Sequence, residues 1–156
     1  VILVDTSAGI SENVMSFIMA ADEVVLVTTP EPTSITDAYA LIKMVSKRDN
    51  KKKINLIVNR VDSIEEANDV AAKLSMVSEK FLNLGILTIG HVPNDSQVIK
   101  AVKMQQPFTI SFPKSNASKQ IHEISTRIYN KEDQPQQEAD GVKGFINKLV
   151  NFFNKK

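Results

Sequence analysis

Four short apolar runs, each ending in polar or turn-forming residues, constrain this chain more than any other feature. They are Val1 to Val4, ending at Asp5; Val24 to Val27, ending at Thr28-Thr29-Pro30; Ile54 to Val58, ending at Asn59-Arg60; and a run within 84–92, ending at Pro93-Asn94-Asp95. Short, rich in β-branched residues and apolar on both faces, they suit strands covered on both sides, as in a parallel sheet. Between and after them lie stretches of helical character: 14–21, 34–47, 63–83, 96–104 and 118–129. In the second, Ile35, Ala38, Leu41, Ile42 and Val45 fall on one stripe of period 3.6. The third opens with Ser63-Ile64-Glu65-Glu66, a capping-box pattern, and its apolar face includes Ala67, Val70, Ala71, Leu74, Val77, Phe81 and Leu84. This alternation predicts an α/β fold: part of a doubly wound, mainly parallel sheet flanked by helices.

At 156 residues the chain is long enough for one substantial core. The pattern changes after residue 130. Residues 131–140 (KEDQPQQEAD) have no large apolar side chain and read as a flexible polar linker, leaving 1–130 as the α/β part and 141–156 as a separate tail. Charge follows the same boundaries. Residues 1–130 are balanced, 14 basic against 14 acidic; the tail has four lysines and no acid. The near-neutral total argues against a chain built mainly to bind nucleic acid. With no cysteine, thiolate metal sites and a cysteine nucleophile are excluded. The sequence opens on Val1, inside an expected strand, which leads us to expect a preceding segment.

In open α/β sheets ligands sit beyond the carboxyl ends of the strands, so the four polar run ends would share one rim. An apolar strand that delivers Asp5 can hold a magnesium ion through bound water, and the small residues Ser7, Ala8 and Gly9 let backbone amides approach a phosphate. Asp5 as an ordinary cap of the next helix is the alternative. Asn59 as a backbone partner at a strand end, and Pro93-Asn94-Asp95 as a turn and helix cap, likewise stay open.

The segments VILVDTSAGI, VVLVTTPEPTSITDAY, NLIVNRV and GHVPNDSQVIKAV, in that order, resemble the second half of the MinD/ParA class of P-loop ATPases, most of all its FlhG group, the regulators of flagellar number and placement. The resemblance covers about residues 1–112 and extends to the tail. It implies ATP and magnesium as cofactors. Asp5 would bind magnesium-coordinated water, and Thr6 to Gly9 would form the second switch loop, with the Gly9 amide near the γ-phosphate. Asn59 and Arg60 would face the adenine, and Pro93, Asn94 and Asp95 would close around it. Glu31, Thr33 and Asp37 would lie near a nucleotide-dependent homodimer and partner face. The resemblance also implies a cytoplasmic protein, peripheral on the inner membrane face, with flagellar assembly partners such as FlhF or switch-complex components. Division-site selection, chromosome partition and a non-catalytic membrane scaffold are the alternative tasks. One element of the pattern is missing: no glycine is followed by lysine, so the phosphate-binding loop ending in Gly-Lys-Thr or Gly-Lys-Ser is not in these residues. We therefore expect no ATP hydrolysis from this segment alone.

The tail GVKGFINKLVNFFNKK forms a strongly amphipathic pattern when wound at 100° per residue. Val142, Phe145, Ile146, Leu149, Val150, Phe152 and Phe153 fall in one arc of about 160°, with asparagine and lysine elsewhere and only Lys156 inside the arc. Such a helix can lie in a membrane interface with its lysines toward anionic headgroups. Packing of the same face on the protein's own core is the alternative. Other candidates are weaker. Residues 47–53 (KRDNKKK) suit a solvated loop better than a DNA contact, His91 and His122 lack metal-ligand spacing, and nothing resembles a nucleophile elbow.

Overall fold

The computed structural model describes residues 1–130 and 141–154; the expected linker at 131–140 and the last two residues lie outside the described residues. Three strands, β1 (Glu23–Thr28), β2 (Lys53–Val61) and β3 (Ile86–Pro93), form one parallel sheet in that order. The helices are α1 (Glu12–Ala20), α2 (Pro32–Arg48), α3 (Ile64–Leu82), α4 (Ser96–Lys103), the single turn α5 (Phe108–Ser111), α6 (Asn116–Asn130) and α7 (Gly141–Asn154). The α/β reading holds, with α5 as an element that its four residues gave no period to reveal.

Two apolar layers sandwich the sheet. On one face Val24, Leu26, Ile54, Leu56 and Val58 meet Met15 and Ile18 of α1, Ala38, Ile42 and Val45 of α2, and Val70, Ala71 and Leu74 of α3. On the other, Ile57, Ile89 and Val92 meet Ala117 and Ile124 of α6, with Val98 and Phe108 alongside. This second layer stops short of β1, where Val27 remains 54% exposed.

Val1 to Val4 form no strand, and all four side chains are exposed. A continuous apolar run favours burial on both faces, but it becomes a strand only where a neighbouring backbone offers a hydrogen-bonded ladder. Among the described residues none does. The α3 stripe also differs at one position. Phe81 is exposed and carries the Lys80 ammonium 5.4 Å from its ring centroid. Asn83 turns left-handed (φ 49°), the Leu84 N–H donates back to the Ser78 carbonyl, and Leu84 is buried as its place on the stripe led us to expect. The capping box is present with a shift of one residue: Ser63 Oγ accepts from the Glu66 N–H (3.2 Å), while Glu66 accepts from the Asp62 N–H (2.8 Å).

The β2–β3 ladder slips twice. Leu56 pairs Thr88 but Ile57 pairs Gly90, so Ile89 is an extra residue, and Arg127 Nη1 of α6 donates to its carbonyl at 2.8 Å. Gly90 lies where α6 comes closest: a Cβ there would stand 2.5 Å from Ile124 Cγ1. The second slip, between Asn59 and Val61, skips Arg60, whose φ is +59°.

Candidate functional site

The carboxyl ends of the three parallel strands form one rim, and its loops are joined in sequence. At the β1 end, the buried Thr28 hydroxyl meets Ser34 Oγ at 2.9 Å, and the same oxygen accepts from the Thr29 N–H at 3.1 Å. These bonds tie the Thr28-Thr29-Pro30 loop to the first turns of α2. Glu31 occupies the α2 N-cap position ahead of Pro32 and makes no capping bond itself. Its exposed carboxyl is held below the usual range, first by a hydrogen bond from the Thr29 side chain, then by its own backbone, with the Arg60 guanidinium adding to the effect. Glu31, Thr33 and Asp37 are all exposed at the start of α2, with Thr33 and Asp37 four residues apart on one helix face.

Arg60 links the β1 loop to the end of β2. Its left-handed backbone lifts it out of the ladder, and Nη1 reaches Glu31 Oε1 at 3.8 Å. Both groups are well exposed, so solvent screens the pair and it adds little to stability. Asn59 is half-buried; its Oδ1 accepts from the Arg60 N–H (2.9 Å), and among the described residues its Nδ2 has no partner. The β3 loop follows. The Asn94 N–H donates to the Val61 carbonyl (2.8 Å) and Asn94 Nδ2 donates to Asp62 Oδ1 (3.2 Å).

Asp95 uses both carboxylate oxygens within the fold. Oδ1 accepts from the Gln97 N–H (2.8 Å), capping α4, and Oδ2 accepts from the Ala117 N–H (3.2 Å) in the first turn of α6. These two bonds, in that order, hold its carboxyl below the usual range. Of the sequence-derived positions, the structure therefore brings together Glu31, Asn59, Arg60, Pro93, Asn94 and Asp95. Asp5, Thr6 and Gly9 are exposed, and among the described residues no hydrogen bond or ion pair joins them to the rim. Asp62 and Ser34 escaped the sequence reading. Asp62 lies two residues past the Asn59-Arg60 pair, and only the bulge at Arg60 brings it level with Asn94.

The tail helix packs on α1. Phe145 stacks on Phe17 with centroids 6.4 Å apart, Phe152 packs against the α1–α3 core layer with the Arg48 guanidinium over its ring, and Lys148 Nζ meets Asp22 at 3.2 Å. The own-core alternative is thus realised for Phe145 and Phe152. Leu149 is half-buried, while Val142, Ile146, Val150 and Phe153 stay exposed. Among the described residues no helix is long and apolar enough to cross a membrane, and no group of three or more metal-ligating side chains gathers.

No protein-family model matches the chain. Curated relatives do. The chain is 40% identical to the antiactivator FleN of Pseudomonas aeruginosa over 82% of its own length and 46% of that protein's. It is 33% identical to the flagellum site-determining protein YlxH of Helicobacter pylori, covering 97% of this chain and 52% of the relative. The septum site-determining protein MinD of Bacillus subtilis is 28% identical, with 97% and 55% covered. Among solved structures, the cell division ATPase MinD of Pyrococcus furiosus superposes with a TM-score of 0.62 over 81% of this chain and 50% of that one, at 21% identity, a likeness of fold. The chain spans about half the length of the curated relatives it matches. Ordered motifs, parallel sheet and relatives agree: this chain is a MinD/FlhG-like segment, a member of the family that contains FleN, YlxH and MinD.

Proposed function

We propose that the chain is part of an ATP-binding, membrane-associating ATPase that regulates flagellar number or placement. The reading is carried by the joined rim at the carboxyl ends of parallel strands, where Asn59 and Arg60 end β2 beside the β3 end, and Asn94, just past β3, bonds to Val61 and Asp62. A half-buried amide with an open N–H2 group, beside a guanidinium, fits the edge and face of a purine base. Asp95 serves this site by position, fixing the loop to α4 and α6. By the family pattern, Asp5 would hold magnesium through water, and Thr6 to Gly9 would be the residues that contact the terminal phosphate. Gly9, at φ +104°, has the backbone freedom to turn its amide toward an anion. Magnesium, when bound, supplies charge neutralisation at the phosphates. Glu31, Thr33 and Asp37 belong to the face that meets the second copy in an ATP-dependent homodimer. The open edge of α7, with Val142, Ile146, Val150 and Phe153, meets an anionic membrane on the cytoplasmic side. A flagellar task is favoured over division-site selection by the higher identity to a flagellum site-determining relative, 33% against 28% for the septum site-determining one.

The phosphate-binding loop motif is absent from these residues, so the purified segment is expected to show no P-loop-type turnover. The direct test is light scattering of the complete protein with magnesium and ATP. A dimer should form with ATP, not with ADP, and be lost in Asp5→Ala and weakened in Asn59→Ala. A monomer under all conditions, with no ATP bound, would refute the reading and leave a non-catalytic membrane scaffold in its place.

A further inference from the structure

Helix α4 carries more apolar surface than the core covers. Wound at 100° per residue, Ala101, Val98, Val102 and Ile99 fall in that order across one arc of about 160°. Ala101 is buried and Val98 packs against the layer of Ile57, Ile89 and Ile124, but Val102 is 70% exposed and Ile99 57%. Met104, at the end of α4, and Ile110 of the adjoining α5 are exposed too. Single exposed apolar side chains are ordinary on a protein surface; a group of them on two adjoining helices is a patch. The backbone beneath it is fixed. Gln105 turns left-handed (φ 53°), the Gln106 N–H donates to the Ala101 carbonyl at 3.1 Å, and Ser118 Oγ of α6 donates to the Phe112 carbonyl at 2.8 Å. A face held in this way can bind without first being ordered.

The charge around the patch has one sign. Residues 96–115 contain Lys100, Lys103 and Lys114 and no acid; all three are exposed, and among the described residues none forms an ion pair. Asp95, just ahead of α4, spends its two oxygens on the Gln97 and Ala117 N–H groups. Around α4, Lys103 and then Lys100 follow Ile99, so ammonium groups edge the apolar stripe. A complementary partner brings apolar anchors flanked by carboxylates. A second copy offering the same face would set lysine against lysine, which disfavours self-pairing. Placement disfavours lipid: α7 packs on α1, across the sheet from α4 to α6, so a flat membrane that meets the open edge of α7 leaves this patch turned away from it.

We propose that the α4–α5 face, Ile99, Val102, Met104 and Ile110 edged by Lys100 and Lys103, docks an acidic amphipathic helix of a partner protein. The inference does not rest on the nucleotide reading given above. The apolar side chains supply affinity as anchors of a helix laid on the face, and the lysines select partners by charge.

The test selects phage-displayed helical peptides on the complete protein, with the Ile99→Ser/Val102→Ser double variant as counter-selection. Enriched peptides should carry Leu, Ile or Phe at helical spacing with Asp or Glu beside them. The strongest is then synthesised with a fluorescein label and followed by anisotropy. Ile99→Ser/Val102→Ser should bind it at least about tenfold more weakly, and Lys100→Glu/Lys103→Glu about tenfold more weakly. Exchanging the peptide's acids for lysine should restore binding to Lys100→Glu/Lys103→Glu and abolish it with wild type. All four substituted side chains are exposed, so both variants should keep the wild-type melting temperature. The charge-exchange rescue tests the docking even if the apolar variant is destabilised. No peptide enriched over the counter-selection, enriched peptides without acids, or no rescue by charge exchange would each overturn the proposal. So would loss of cosedimentation with phosphatidylglycerol vesicles in Ile99→Ser/Val102→Ser, which assigns the face to lipid, or loss of its ATP-dependent dimer in light scattering, which assigns it to a second copy.

Discussion

Replacing Asp95 tests whether one carboxylate holds two helices at the rim. Its oxygens accept from the Gln97 N–H at 2.8 Å and the Ala117 N–H at 3.2 Å, so removal leaves a first-turn donor unpaired in α4 and another in α6. A lost N-cap costs about 1 kcal/mol, so Asp95→Ala should cost about 2 kcal/mol at pH 7. For a chain of this size that lowers the melting temperature by about 4–8 °C. Asp95→Ser separates the two bonds: a shorter side chain can still cap α4 but falls short of Ala117, and about half the loss should return. The pH dependence has a definite sign. The folded carboxyl is held below its unfolded value, so its stabilisation is present above the ordinary aspartate pKa near ~3.9 and fades as pH falls through the folded value. Asp95→Asn, which cannot ionise, should therefore narrow its deficit against wild type in acid. Urea unfolding followed by far-ultraviolet circular dichroism at several pH values provides the measurement. Equal midpoints for wild type and Asp95→Ala at pH 7, or a deficit of Asp95→Asn that grows in acid, would refute the reasoning.

Two further substitutions probe the slips in the β2–β3 ladder. Gly90→Ala places a Cβ against the core side chain Ile124 and should destabilise by about 1–3 kcal/mol; pairing it with Ile124→Ala should cost less than the two single losses together in urea titrations. Arg60→Gly relaxes a left-handed backbone at φ +59° and should leave unfolding midpoints unchanged or slightly raised, while weakening ATP binding by the complete protein, measured by calorimetry.

The sheet and most of its helices were legible because burial on both faces leaves a continuous apolar run and a packed helix leaves a 3.6-residue stripe. Ile54 to Val58 and the Ala38, Ile42, Val45 stripe lie in the core as read. What escaped depends on contacts between distant residues. Val1 to Val4 have the composition of a strand, but composition carries no information about whether a ladder partner is present. Phe81 belongs to the right stripe, yet it lies exposed with the Lys80 ammonium over its ring. The bulge at Ile89 is invisible locally, since the Arg127 that satisfies its carbonyl lies 38 residues away. At the rim, the Asn59-Arg60 pair and the Pro93 to Asp95 triplet stood out as polar strand ends. That Asp95 would bond to two helices was half legible: its place before α4 suggested a cap, but nothing in the sequence linked it to Ala117.

These contacts also sort the rim by what a ligand could exchange. The bonds beneath it are sheltered or doubled: Thr28 with Ser34 at a buried position, and Asp95 with two helix ends. Breaking these leaves unpaired donors or acceptors, at about 1–3 kcal/mol each where water cannot replace them. The bonds on top are exposed, Arg60 to Glu31 at 3.8 Å and Asn94 to Asp62 at 3.2 Å, and solvent or a base can substitute for either partner at little cost. A site with this layering keeps its framework while its outer polar groups change partners. The same division runs through α7, where the stacked Phe145 and exposed Phe153 place a retained contact and an available one on the same helix. At the rim, the groups free to meet a partner are held by neighbours whose own bonds need not break for that meeting to occur.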